Sequence, residues 1–193
     1  MISAIILAAG QSRRMGQPKM LLPWGQLTVI EQVIRTFRGA GIEDILVVTG
    51  GTRELVEKVI EPYPVQKIYN SNYEAGEMLS SLQLGLRALS DQVQATLIGL
   101  GDQPQVQERT VHLVCEAYRE SQSSLVVPSF QMRRGHPWLV ATPLWNEVLK
   151  LEPPESPRDF LNRHATDIHY VEVDTSSVLT DLDTPEDYQK THP

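Results

Sequence analysis

One cysteine in 193 residues, Cys115, excludes an internal disulfide. A chain with no thiol pair to oxidise suits a reducing cytosol, so a cytoplasmic location is expected. Cys115 shares an apolar helical face with Val111, Val114 and Tyr118, and nothing near it in sequence would lower its pKa, so it reads as a core side chain. Positive charge is not in excess. Seventeen Lys and Arg against 24 Asp and Glu leave a net charge of -7. That argues against sequence-independent binding to nucleic acid or an anionic membrane, both of which need a broad basic surface. No long hydrophobic run occurs either. The apolar stretch from Ile2 to Ala9 is too short to span a bilayer and has no basic residue before it, so it reads as a buried strand and not a signal peptide. Repeats, low-complexity tracts and a linker able to separate two domains are also missing. The expectation is one domain over residues 1–193, with the composition of an ordinary folded protein.

What is present is an alternation. The run from Ser3 to Leu7 predicts a strand buried on both faces. Val29, Ile30, Val33, Ile34 and Phe37 follow at helical spacing, with Thr28 as N-cap and Gly41 as stop. Strands are predicted at 44–49, 65–69, 96–100 and 125–127, separated by helices through Val56, Leu82 and Val111. Five strands and four helices predict a three-layer α/β/α, Rossmann-like fold with a mostly parallel sheet. The later chain breaks the rhythm. Residues 130–141 read as an extended excursion around Arg134-Gly135-His136-Pro137, followed by helices from Pro143 and Pro157, a strand over 168–173 and a last helix opened by Thr184-Pro185. This later portion is expected to include an antiparallel part.

Ligands of such sheets sit beyond the carboxyl ends of the strands, which makes the loop after the first strand the first candidate site. It reads Ala8-Ala9-Gly10-Gln11-Ser12-Arg13-Arg14-Met15-Gly16-Gln17-Pro18-Lys19. Small residues there allow close approach of backbone N–H groups, and Arg13 and Lys19 offer charge-assisted donors to phosphate. A dinucleotide fingerprint fails because position 12 is Ser, and a Walker loop fails because Gln17-Pro18 follows Gly16.

The segment Leu7 to Lys19 resembles the signature loop of nucleotidyltransferases with the nucleotide-diphospho-sugar transferase fold, and more narrowly that of the molybdenum cofactor cytidylyltransferase family. The resemblance extends over nearly the whole chain. It implies that Leu7, Ala8, Ala9, Gly10, Ser12, Arg13 and Lys19 bind a nucleoside triphosphate, with Arg13 and Lys19 holding its phosphates. Ala-Ala-Gly, where guanylyltransferase relatives carry Ala-Gly-Gly, makes Ala9 a pointer to CTP. Residues 1–104 would form the NTP-binding half and 105–193 the acceptor-binding half.

Three further segments come in the family's order. Gly101-Asp102-Gln103-Pro104 ends a central strand, where Asp102 is placed to hold Mg²⁺ or, on local grounds, to cap a turn. The resemblance implies the metal role. Asp181-Leu182-Asp183-Thr184-Pro185 resembles the closing motif. Thr184, Pro185, Glu186 and Asp187 are explained by helix capping, and Asp183 is left as the second metal ligand, with Asp181 the alternative. Asn70, Ser80 and Ser81 lie in a segment that resembles the family's base-contacting stretch and equally suit turns and caps. His136 in Arg-Gly-His-Pro is the candidate acceptor-binding residue, or a structural histidine. The implied reaction is nucleotidyl transfer from an NTP to the phosphate of the molybdenum-pterin cofactor, with a molybdoenzyme or its maturation chaperone as possible recipient. A sugar-phosphate acceptor and a non-catalytic cofactor-binding role are the rival readings. A phosphate nucleophile is already ionised at neutral pH, so the absence of a Ser-His-Asp or Cys-His constellation is no obstacle.

Overall fold

The computed structural model describes residues 1–75 and 77–193, with Glu77 described in its backbone alone. Gly76, part of the predicted base-contacting segment, lies outside the described residues.

Strand β1 (Ile2–Ala8) is followed by a short 3₁₀ turn at Lys19–Leu21 and a small hairpin of β2 (Pro23–Trp24) and β3 (Leu27–Thr28). Helix α1 (Val29–Gly39) opens on a capping box in which the Glu31 carboxylate accepts from Thr28 N–H at 2.8 Å. Next come β4 (Ile45–Thr49), α2 (Arg53–Val59), β5 (Gln66–Tyr69), α3 (Glu77–Ala88), β6 (Ala95–Leu100), α4 (Glu108–Ser121) and β7 (Leu125–Phe130). The predicted excursion resolves into β8 (Arg133–Arg134) and β9 (Trp138–Ala141). Helices α5 (Thr142–Leu149) and α6 (Pro157–Arg163), strand β10 (His169–Glu172), a 3₁₀ turn at Ser176–Leu179 and α7 (Pro185–Thr191) complete the chain.

The sheet runs β10-β7-β9-β6-β1-β4-β5, with β8 paired to β7. β5, β4, β1 and β6 are mutually parallel, and β10 is parallel to β7. β9 runs antiparallel to both β6 and β7 and is inserted between them. The reading of 130–141 as an excursion missed this strand. All four of its residues are buried, and a run that short beside Gly135 and Pro137 carries no periodicity to identify it.

Successive side chains of β1 point to opposite faces. Ala4, Ile6 and Ala8 join the core under α1 and α4, while Ile5 and Leu7 join the core under α3, α5 and α6. Each fully buried Ile or Leu contributes about 1.5–3 kcal/mol of transfer free energy, which makes these two apolar layers the main stabilising term. Gly85 lets α3 lie directly on β1, since a Cβ there would come within 2.9 Å of Ile5. Its role is packing. Cys115 is buried against the same core as α1, and burial pushes its thiol up to about 11. No helix among the described residues is long and apolar enough to cross a membrane.

Candidate active site

The loop after β1 begins at Ala9. Leu7 and Ala8 are strand residues, register-paired with Val48 and Thr49 of β4, and the side chains of Leu7, Ala8 and Ala9 are all buried. Only their backbone can face a ligand. Ser12 takes a left-handed conformation (φ 55°), and its carbonyl accepts from Met15 N–H at 3.0 Å and Gly16 N–H at 3.2 Å. Its hydroxyl accepts from Lys19 N–H at 3.0 Å, which ties the start of the loop to its end. Gly10 is exposed, and a Cβ built on it meets nothing within 4 Å. The fold itself therefore leaves the space above Gly10 open, as a backbone cradle for an anion requires.

Lys19 is buried at the end of this loop, and its ammonium donates to both Asp102, in a short contact, and Asp183, at 3.2 Å. Burial works against the Lys19 charge, but the attraction of Asp102 and then Asp183 outweighs it and raises its pKa. Arg14 caps the outer side of the cluster, with Nη2 2.8 Å from Asp183 Oδ2. Asp102 follows directly on β6 and Asp183 precedes the N-cap of α7, Thr184, whose hydroxyl accepts from Asp187 N–H. The two segments are joined by a backbone bond from Leu182 N–H to the Asp102 carbonyl at 3.2 Å. Leu182 itself is buried with Met15, Leu22, Trp24 and Val29. An alternation results: Met15 and Leu182 point inward, and Arg14 and Asp183 meet outside.

Asp181 faces elsewhere and accepts from the Gln103 amide at 2.7 Å. Burial first, then the charges of Asp102 and Asp183, raises its pKa. Asp102 and Asp183 thus pair with the two cations Lys19 and Arg14, and Asp181 adds a nearby negative charge without pairing with either. Asp102 and Asp183 converge on one cationic atom, Lys19 Nζ, and their hard oxygens are the donors that Mg²⁺ prefers. No group of three or more metal-type side chains occurs among the described residues. Two carboxylates, with the remaining positions left to phosphate oxygens and water, suit Mg²⁺.

The other predicted residues fall into separate places. Arg13 is exposed and donates through Nε to Gln11 Oε1 at 2.6 Å, away from the carboxylates that Arg14 engages. Asn70 is buried and donates to Ser80 and Ser81 hydroxyls at 2.8 and 2.9 Å, so these three hold the β5–α3 connection together. His136 is half-buried and lines a second cavity of about 1350 Å³, whose walls include Met78, Leu79, Trp138, Leu161 and Arg134. Burial lowers its pKa to about 4, so the ring is neutral at pH 7. Sequence reasoning missed Arg14 and Gln103. The signal for Arg14 was Met15: an apolar residue in a polar loop is an anchor, and an anchor fixes its neighbours' direction.

Residues 4–168 match the model of the MobA-like NTP transferase domain. The chain is 29% identical to the molybdenum cofactor cytidylyltransferase of Escherichia coli K12 over 187 residues, covering 97% of this chain and 93% of that one. It is 27% identical to the nicotine blue oxidoreductase of Paenarthrobacter nicotinovorans over 195 residues, covering 96% and 93%. Among solved structures, a nucleotidyl transferase from Methanothermobacter thermautotroptrophicus superposes with a TM-score of 0.84 at 25% identity, covering 100% of this chain and 96% of that one.

Proposed function

The chain belongs to the MobA-like NTP transferase family and is a nucleotidyltransferase of the molybdenum cofactor cytidylyltransferase type, and from that premise we propose that it transfers a cytidylyl group from CTP to the phosphate of the molybdenum-bound pterin cofactor. An oxygen of the acceptor phosphate attacks the α-phosphorus of CTP, the bond to the β-phosphate breaks, and pyrophosphate leaves. The observation that carries this reading is the position of Lys19, held by Asp102 and Asp183 at the end of a loop whose backbone is open at Gly10.

Both substrates are anions, so the barrier lies in charge repulsion and alignment, and fixed cations lower it. Backbone amides from Ala9 to Ser12 cradle the triphosphate. Lys19 and Arg14 neutralise its oxygens, and exposed Arg13 adds charge from the solvent side. Asp102 and Asp183 would hold Mg²⁺, which supplies Lewis-acid neutralisation of phosphate charge when bound. Asn70, Ser80 and Ser81 shape the base end, and Ala9 favours CTP. His136 borders the acceptor as an uncharged ring. Residues 1–104 serve the nucleotide and 105–193 the acceptor, within one cytoplasmic domain that hands its product to a molybdoenzyme or its chaperone.

Incubation with Mg²⁺, each NTP in turn and the molybdenum-pterin cofactor, with pyrophosphate as readout, tests the reading. Release with CTP and this acceptor is expected. Release only with sugar phosphates or related metabolites would move the acceptor assignment, and no release from any pairing would refute catalysis of this kind. The oxidoreductase relative makes one control necessary: consumption of NADH or NADPH in place of pyrophosphate release would replace the reading altogether.

A further inference from the structure

The cavity that His136 lines also holds Arg134, a cation with no ion pair among the described residues. Arg134, in β8, donates through Nε to the Tyr170 hydroxyl at 2.9 Å and through Nη1 to Asn162 Oδ1 at 2.8 Å. Both partners are uncharged. They fix the guanidinium from β10 and α6 without cancelling its charge. Four other arginines are neutralised by a carboxylate: Arg14 by Asp183, Arg53 by Glu57, Arg109 by Asp174 and Arg163 by Glu155. Among the described residues Arg134 has no carboxylate within ion-pair distance, and its Nη2 has no partner.

The backbone beneath it is equally fixed. Gly135 N–H donates to the Pro128 carbonyl at 2.8 Å and His136 N–H to the Val178 carbonyl at 3.0 Å. A Cβ on Gly135 would come within 2.6 Å of Val178. The β7–β8 turn places two non-glycine residues, Gln131 (φ 49°) and Met132 (φ 64°), in the left-handed region. Strain of this kind persists where surrounding structure enforces it. The tight turn folds Arg134 back opposite Ser129 on the cavity wall. The lining adds an apolar surface from Trp138, Leu161 and Met78, with Glu155, Glu172, Arg133 and Arg158 also at the wall. His136 is neutral at pH 7, and of the three arginines that line the cavity, Arg133, Arg134 and Arg158, Arg134 is the one that side-chain hydrogen bonds orient among the described residues.

We propose that Arg134 is a specificity-determining residue that anchors an anionic group, a phosphate or a carboxylate, of an acceptor whose body is apolar or ring-shaped. Tyr170 and Asn162 are its positioning residues. A pre-oriented guanidinium of this kind binds oxyanions bidentately, which an ammonium on a flexible stem does not. The inference deepens the acceptor half of the function above and rests on that reading for the acceptor's identity, but not for the anion.

Binding is measured without turnover, by calorimetry on the intact protein with the phosphorylated pterin, its dephosphorylated counterpart, a pterin carboxylate and inorganic phosphate. Wild type is expected to prefer the anionic pterins. The phosphate and carboxylate arms separate the two sources of charge. Arg134→Gln is expected to weaken the preferred anion roughly tenfold or more, about 1.4 kcal/mol, and to flatten its salt dependence. Arg134→Lys would recover part of the affinity, and Tyr170→Phe and Asn162→Ala would lose several-fold with the charge retained. In turnover the acceptor KM rises while the NTP KM stays fixed. Unchanged anion binding in Arg134→Gln overturns the proposal, as does a wild type that binds none of the anions. If wild type releases no pyrophosphate from any pairing yet binds phosphate through Arg134, the nucleotidyltransfer reading fails and the anchor stands.

Discussion

The N–H of Leu182 donates to the carbonyl of Asp102 at 3.2 Å, and this backbone bond ties together two carboxylate-bearing segments, one from mid-chain and one from near the C-terminus. Leu182 is fully buried, so its side chain fastens Asp181 and Asp183 on either side of it. Leu182→Ala is expected to cost about 2–4 kcal/mol in urea unfolding and to raise the Mg²⁺ concentration needed for half-maximal rate. An unaltered metal requirement would show that Asp183 is positioned by something else.

Lys19→Ala and Asp102→Ala should each lower turnover about 10²–10³-fold while circular dichroism stays native. Lys19 also ties stability to pH. Its folded pKa lies above the ordinary lysine value of 10.5, so its stabilising charge is fully present below that value and is lost as pH climbs through the folded pKa. Unfolding midpoints of wild type and Lys19→Met between pH 9 and 12 should converge at the alkaline end.

Arg14 and Arg13 are neighbours with different surroundings. Arg14→Ala is expected to reduce kcat/KM for the NTP by a larger factor than Arg13→Ala, because only Arg14 reaches the carboxylate cluster. Neither should alter stability by more than about 1 kcal/mol, since the Arg14 pair is solvent-screened. Steady-state kinetics of both variants decide the order.

Gly10→Val probes the loop from the other side. The added side chain meets no protein atom near its Cβ, so the melting temperature should hold within the range of a surface substitution, about 0.5 kcal/mol. NTP affinity should fall, because the valine fills the space that a phosphate needs. Equal NTP KM in the two proteins would remove Gly10 from the site.

His136 should make the protein acid-sensitive. Its folded pKa, about 4, lies below the ordinary histidine value of 6.5, so the unfolded chain takes up a proton that the folded one resists. The stability is present above 6.5 and is lost as pH falls toward 4. His136→Gln is expected to flatten the unfolding midpoint across that window by an amount on the order of 1–3 kcal/mol.

Much of this was legible in the residues. The caps at Thr28 and Thr184 and the proline at Pro157 located three helix starts, all observed as capping boxes, because a cap is a local hydrogen bond that sequence spells out. Lys19 was named from the loop after the first strand, Asp102 from a strand end and Asp183 as a left-over carboxylate with Asp181 its alternative, and Lys19 meets Asp102 and Asp183 in one cluster in the structure. β9 was not legible, since a four-residue buried strand is defined by its neighbours and not by its own pattern. Arg14 was missed because neighbouring arginines look alike until Met15 is known to point inward. The neutral partners of Arg134 lie in α6 and β10, and no local motif connects them.

The antiparallel insertion of β9 has a consequence for how the chain is made. β6 and β7 do not touch as neighbours; β9 alone bridges them. During synthesis from the N-terminus, β6 emerges with an open hydrogen-bonding edge until residues 138–141 follow. An open edge is a template for pairing with other chains. The four residues next to Arg-Gly-His-Pro therefore act as a closing seam: they join the two halves of the sheet and cover the open edge of β6.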